Sequence, residues 1–227
     1  MTTIFTTTFN LDDTGNVGFS IRQVCTITGN AQGQVRVTFN AASAGSAAGG
    51  LQLDHASIGI QTGANDATTA VPVELLFSGA HGFTIADGAS IVSDWANLAG
   101  FTSANKLIVV MDCNSVHAQG MAENSASTGQ TFWFQAATAS YNVAAPGFAS
   151  SVANIVECVS LIETQAAGGG GAAIAKVNFK LDKFKTPSRS MGPNSGLFQV
   201  RAFPIATTQP DTAGQVIFRV RNQPWRW

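Results

Sequence analysis

The chain is short of charge. Asp, Glu, Lys and Arg make up 11% of its 227 residues, against about 25% in an ordinary soluble domain. It also lacks any run of 18 apolar residues, so no membrane-spanning helix is expected. Cysteine is sparse and odd in number: Cys25, Cys113 and Cys158. That excludes a disulfide framework and fits synthesis in a reducing compartment. The first residues, MTTIFTTTFNLDD, carry neither a basic stretch nor a long apolar one, so no secretory leader is expected there. Nor does any segment hold a 3.6-residue apolar stripe over three turns.

Catalytic and metal signatures are missing as well. The three histidines, His55, His81 and His117, form no HxH or HExxH, and no CxxC accompanies them. No metal site and no cofactor is therefore expected. GxSxG, GDS and phosphate-loop patterns are also lacking. MDCNSVH sets Cys113 near His117, but a thiol nucleophile needs an orienting third group that is not identifiable. No catalytic residue is assigned. Asp12-Asp13, beside Gly15 and Asn16, reads as a turn. Asp54, Asp87, Asp94 and Asp112 stand at strand ends or turns, where Asp commonly bonds its own backbone. Two such loops could converge on calcium, given enough oxygens.

What fills the chain is period-2 alternation. VRVTF (35–39), LDHASIGI (53–60), VELLF (73–77), KLIVVM (106–111), TFWFQA (131–136) and IVECVSLIE (155–163) read as strands. So do KVNFKLDKF (176–184), LFQVRAF (197–203) and VIFRVR (216–221). DWANLAGF (94–101) has room for one helical turn. Nine to eleven strands imply an all-β sandwich or barrel. ASAGSAAGG (42–50) reads as a loop. Four glycines in AAGGGGAA mark a linker over 166–173, dividing a body, 1–165, from a C-terminal segment, 174–227.

The charge sign flips at that linker. Net charge is −8 over residues 1–172 and +7 over 173–227. Such polarity predicts that the basic segment packs on an acidic surface, its own or a partner's. The candidate assembly residues are Lys180, Lys183, Lys185, Arg189, Arg201, Arg219, Arg221, Trp225, Arg226 and Trp227. For the QPWRW end, with Arg226 between two tryptophans, capping of an apolar surface stands equally beside a partner contact. Trp95 and Trp133 are either core residues or sugar-stacking platforms. In TFWFQA, Phe132 and Phe134 share one face and Trp133 takes the other. Asp94, Asn114 and His117 are the polar candidates for the same carbohydrate role.

One ordered set of segments adds to this. It comprises SIRQV (20–24), GQVRVTFNA (33–41), LQLDHASIGIQ (51–61), VPVELLFSGAHGFTIADGASIVSDWANL (71–98), KLIVVMDCNS (106–115) and SVHAQG. The set resembles the β-sandwich domain that precedes the catalytic domain in many bacterial SGNH/GDSL-type esterases, from about residue 18 to 142. The resemblance implies a jelly-roll-like sandwich and a carbohydrate-associated accessory role. It does not imply esterase activity, because that family's nucleophile lies in a following α/β domain and no GDS follows here. In the SDW stretch it implies an architectural part: Ala86-Asp87-Gly88 turns the chain, Ile91 and Val92 enter the sheet, and Asp94 caps the next turn.

The expected function is a non-enzymatic structural protein of a phage-like virion, a head decoration, spike or tail protein made in the host cytoplasm. The expected partners are copies of the chain itself, as a homo-oligomer with a trimer as first guess, other virion proteins such as a capsid or tail protein, and a host surface glycan. Neither membrane nor nucleic acid is expected. The rivals are a bacterial carbohydrate-binding module and a cryptic glycan esterase or lyase.

Overall fold

The computed structural model describes residues 1–114, 119–136 and 139–167. His117, the glycine run and the whole basic segment lie outside the described residues. The strands are β1 Thr2–Thr6, β2 Leu11–Asn16, β3 Phe19–Thr26, β4 Gly33–Asn40, β5 Leu51–Leu53, β6 His55–Ile60, β7 Val73–Leu75 and β8 Phe83–Ile85. They continue as β9 Ser90–Val92, β10 Ala96–Leu98, β11 Lys106–Cys113, β12 Gln119–Asn124, β13 Thr131–Ala136, β14 Ser150–Ala153, β15 Val156–Glu157 and β16 Val159–Ala166. No helix occurs among the described residues.

Two large antiparallel sheets dominate. One runs β1-β16-β4-β10, with β9 also on β4; the other runs β14-β13-β3-β11-β6-β7. A β15-β12-β2 sheet and a β5-β8 pair complete the body. Alternation explains how the large sheets meet. Val35, Val37 and Phe39 of β4 and Ile162 of β16 join Phe19, Ile21 and Cys25 of β3 and Leu107, Val109 and Met111 of β11 in one core. Every second residue of each strand points inward, and two such faces bury each other as a sandwich. At one place the core is aromatic: Phe39, Phe77 and Phe83 lie with ring centroids 4.6 to 5.7 Å apart, in the edge-to-face range.

Several expected elements differ. LDHASIGI breaks at Asp54 into β5 and β6, which belong to different sheets. IVECVSLIE breaks at Cys158, whose φ of 55° turns the chain from β15 into β16. DWANLAGF forms no helical turn: Ala96 and Leu98 enter the core and pair with Val35 and Gly33. Asp12-Asp13 lies in β2 rather than a turn, paired with Ala122 and Met121. The β2–β12 register slips at Gly15 (φ 88°), a one-residue bulge that only glycine enters freely. The 42–50 loop stands as expected. It ends at Gly50, where a Cβ would lie 2.3 Å from the Ile85 carbonyl oxygen.

Candidate functional site

The outward face of the six-stranded sheet carries polar residues at positions where a sandwich normally meets water: Ser20 and Arg22 on β3, Ser57 on β6 and Asp112 on β11. Yet all four are buried. Residues from 62–70 and 139–148 fold across them. Arg22 donates from Nη1 to the Asp66 carbonyl at 2.8 Å and from Nη2 to the Ser140 carbonyl at 2.8 Å and the Val143 carbonyl. Asp112 accepts the backbone N–H groups of Ser140 and Tyr141 at 2.7 and 2.8 Å, and the hydroxyls of Ser20 and Ser140. Ser57 donates to the Tyr141 carbonyl at 2.7 Å. The Asp66 carboxylate accepts from Phe148 N–H at 2.7 Å. Burial pushes the Arg22 guanidinium below its ordinary value, and the Asp66 and Asp112 charges only partly oppose this. One Arg22 nitrogen, Nε, has no partner.

Beyond the covering segment the same face opens into a cleft of about 530 Å³. Trp133 lines it with Gln61, Asn105, Lys106 and Thr131. The indole is half-buried and packs on Val24, Ile108 and Val110. Its orientation follows from the TFWFQA alternation: Phe132 packs toward the main core, so Trp133 stands outward. Gln61 and Lys106 meet there because β6 and β11 pair, the Gln61 N–H donating to the Lys106 carbonyl at 2.9 Å. An aromatic wall beside amide, hydroxyl and ammonium donors can stack on an apolar ring face while hydrogen-bonding its rim. Sequence reading did not find Gln61, Asn105, Lys106 or Thr131. The one signal was Lys106, a rare cation of the body at the head of a strand.

The other candidate residues lie elsewhere. Ala96 of β10 faces the core opposite Val35, so Trp95 stands on the outward face of the five-stranded sheet. There the Arg36 guanidinium lies 4.7 Å from its ring centroid. Trp95 and Trp133 thus occupy opposite layers. Asp94 is exposed and accepts the Gly79 N–H at 2.8 Å, so it caps a turn earlier in the chain rather than the next one. Asn114 is exposed, its N–H bound by Asp54 Oδ2 at 2.6 Å. It lies four residues past Val110, which pairs through Arg22 to Trp133, or about 13 Å along the strand. His117 lies outside the described residues. The structure therefore does not bring Asp94, Trp95, Asn114 and Trp133 together.

Asp54, Asp87 and Asp112 hold distant backbone instead of their own. Asp87 accepts the N–H groups of Gly49 and Gly50 at 3.1 and 2.9 Å, Asp54 that of Asn114, and Asp112 those of Ser140 and Tyr141. Three other carboxylates converge: Asp13, Glu123 and Glu157, with oxygens within 4.8 Å of one another. Glu123 and Glu157 are directly opposed across β12 and β15. Burial first, then the charges of Asp13 and Glu123, raise the Glu157 carboxyl to about 9. It is thus a protonated acid at neutral pH.

No family model matches the chain, and no curated protein matches it.

Proposed function

We propose that the chain is a non-enzymatic structural and binding protein of a phage-like virion. Its sandwich presents the Trp133 cleft to a glycan, and its basic segment makes assembly contacts. The observation that carries the binding role is the cleft itself, where a half-buried indole stands beside Gln61, Asn105, Lys106 and Thr131. The non-enzymatic reading is supported by the cysteines. All three thiols are buried, and burial raises those of Cys25 and Cys158, the reverse of what a nucleophile needs. The assembly role rests on the opposed charges of residues 1–172 and 173–227.

The full chain is tested on immobilised glycans, beside Trp133→Ala and Trp95→Ala. The expected result is retention of a saccharide that Trp133→Ala weakens about fivefold, the loss of one stacking contact of roughly 1 kcal/mol, while Trp95→Ala retains it. No retained saccharide, or equal binding by Trp133→Ala, ends the cleft assignment. Light scattering separates the virion reading from a lone carbohydrate-binding module with the same cleft. A stable oligomer that becomes monomeric on truncation at residue 165 supports assembly. A full-length monomer supports the module.

A further inference from the structure

At the edge of the six-stranded sheet, outside the Trp133 cleft, three side chains meet that neither the covering network nor the cleft uses. His55 opens β6, Glu74 sits in β7, and His81 lies in the turn before β8. Glu74 pairs with Ser57, which puts it diagonally opposite His55 on the outward face. His55 Nδ1 and His81 Nδ1 each lie 2.9 Å from the same oxygen, Glu74 Oε1. The two rings are 5.7 Å apart. The site is open to solvent, with side-chain exposures of 30% for His55, 30% for Glu74 and 65% for His81.

Both imidazoles are aimed by their surroundings. The Tyr141 ring stacks on His55 at 3.9 Å and 5°. Tyr141 is itself pinned by its N–H to Asp112 and by Ser57 to its carbonyl. His81 follows a tight turn closed by reciprocal Phe77–Ala80 backbone bonds of 2.8 and 3.1 Å. Asp94 caps that turn at Gly79.

We propose that His55 Nδ1, His81 Nδ1 and the Glu74 carboxylate form a zinc(II) site whose fourth position is open to water. Two imidazoles and one carboxylate with a free position are a donor set that zinc takes. Imidazole donors also favour zinc and its transition-metal neighbours over magnesium or calcium. Around a tetrahedral zinc with bonds of about 2.0–2.1 Å, ligand atoms stand roughly 3.3 Å apart. Each nitrogen needs to draw only a few tenths of an ångström from the 2.9 Å at which it stands from Glu74 Oε1, and the three ligand atoms already lie within 4.8 Å of one another. Without metal, two imidazoles crowd one carboxylate oxygen. A divalent ion replaces those contacts with one bond to each group. Tyr141 supplies the outer orientation that metal-bound imidazoles ordinarily receive from a neighbour.

The test titrates zinc chloride into the chelator-treated full chain by calorimetry, with cobalt(II) as a spectroscopic probe. One saturable zinc per chain is expected, with the visible bands of tetrahedral cobalt. His81→Ala and Glu74→Gln should each weaken uptake by at least the ~10–100-fold that loss of even an outer-shell partner causes. Glu123→Gln, in the acidic trio, should leave it unchanged. His81 is exposed on a turn, so its removal does not threaten the fold, and circular dichroism checks each variant. Zinc should also raise the Tm of the parent and not of His81→Ala. Absence of saturable uptake, uptake that survives His81→Ala, or loss in Glu123→Gln overturns the assignment.

Discussion

Arg22 and Arg36 occupy equivalent places on the two layers. Each is on a strand inside its sheet, and each points away from the core. Arg36 stays partly in water, paired with Glu163 at 2.7 Å and lying over Trp95. Arg22 is fully buried, because segments 62–70 and 139–148 close over it and are held by its fork. The difference teaches that strand position does not decide what an outward arginine does. The covering loop decides. Under cover, an arginine becomes the anchor of the loop; without cover, it is a surface contact of modest worth.

The largest expected effect breaks the covered side. Arg22→Met should destabilise the fold by about 3–5 kcal/mol, since it strands three carbonyls and the neighbouring carboxylates. Arg22→Lys should recover little, because an ammonium cannot reproduce the fork. Urea midpoints decide; a loss as small as that of an Arg36 variant would erase the distinction between the layers. Asp112→Asn should cost about 2–3 kcal/mol, because the amide can no longer accept from two N–H groups and two hydroxyls at once. Protection of the Ser140 and Tyr141 amides from hydrogen exchange should fall with it.

A buried group facing like charges sharpens the comparison further. The folded-state value of Glu157, about 9, lies above the ordinary 4.5. The folded chain therefore holds a proton that the unfolded chain has released. Its contribution is complete below about pH 4.5 and is lost progressively as pH rises toward 9. Glu157→Gln should flatten that decline, and at pH 8 it should be more stable than the parent by about 2–3 kcal/mol, within the limit of ~1.4 kcal/mol per pH unit. Parallel stability curves for the two proteins between pH 5 and 8.5 would remove the account of a proton held by folded Glu157. The smallest effect belongs to the open layer: Arg36→Ala should cost about 1 kcal/mol, and less in high salt.

Much of this architecture was legible. VRVTF and KLIVVM announced β4 and β11, and TFWFQA announced which side of β13 bears the indole. Legibility stopped where contacts are non-local. Cys158 carries no local mark of the positive φ that splits β15 from β16. Nothing local marks Ser20, Arg22 and Asp112 as covered, because the segments that bury them come 44 residues or more from Arg22 in sequence. His55, Glu74 and His81 are spaced by 19 and 7 residues, which no short motif samples. Of the cleft, only Trp133 stood out in the sequence, as either a core residue or a platform, while Gln61 and Lys106 emerge only once β6 and β11 are paired.

The three cysteines turn the sandwich into its own recorder. None has any exposed surface, so an alkylating reagent can mark a thiol only after the strands around it part. Cys25 and Cys113 sit on adjoining strands of one layer, while Cys158 sits at the junction leading into the other. The order in which the three sulfurs acquire a label is therefore a readout, without any added dye or engineered residue, of which layer lets go first.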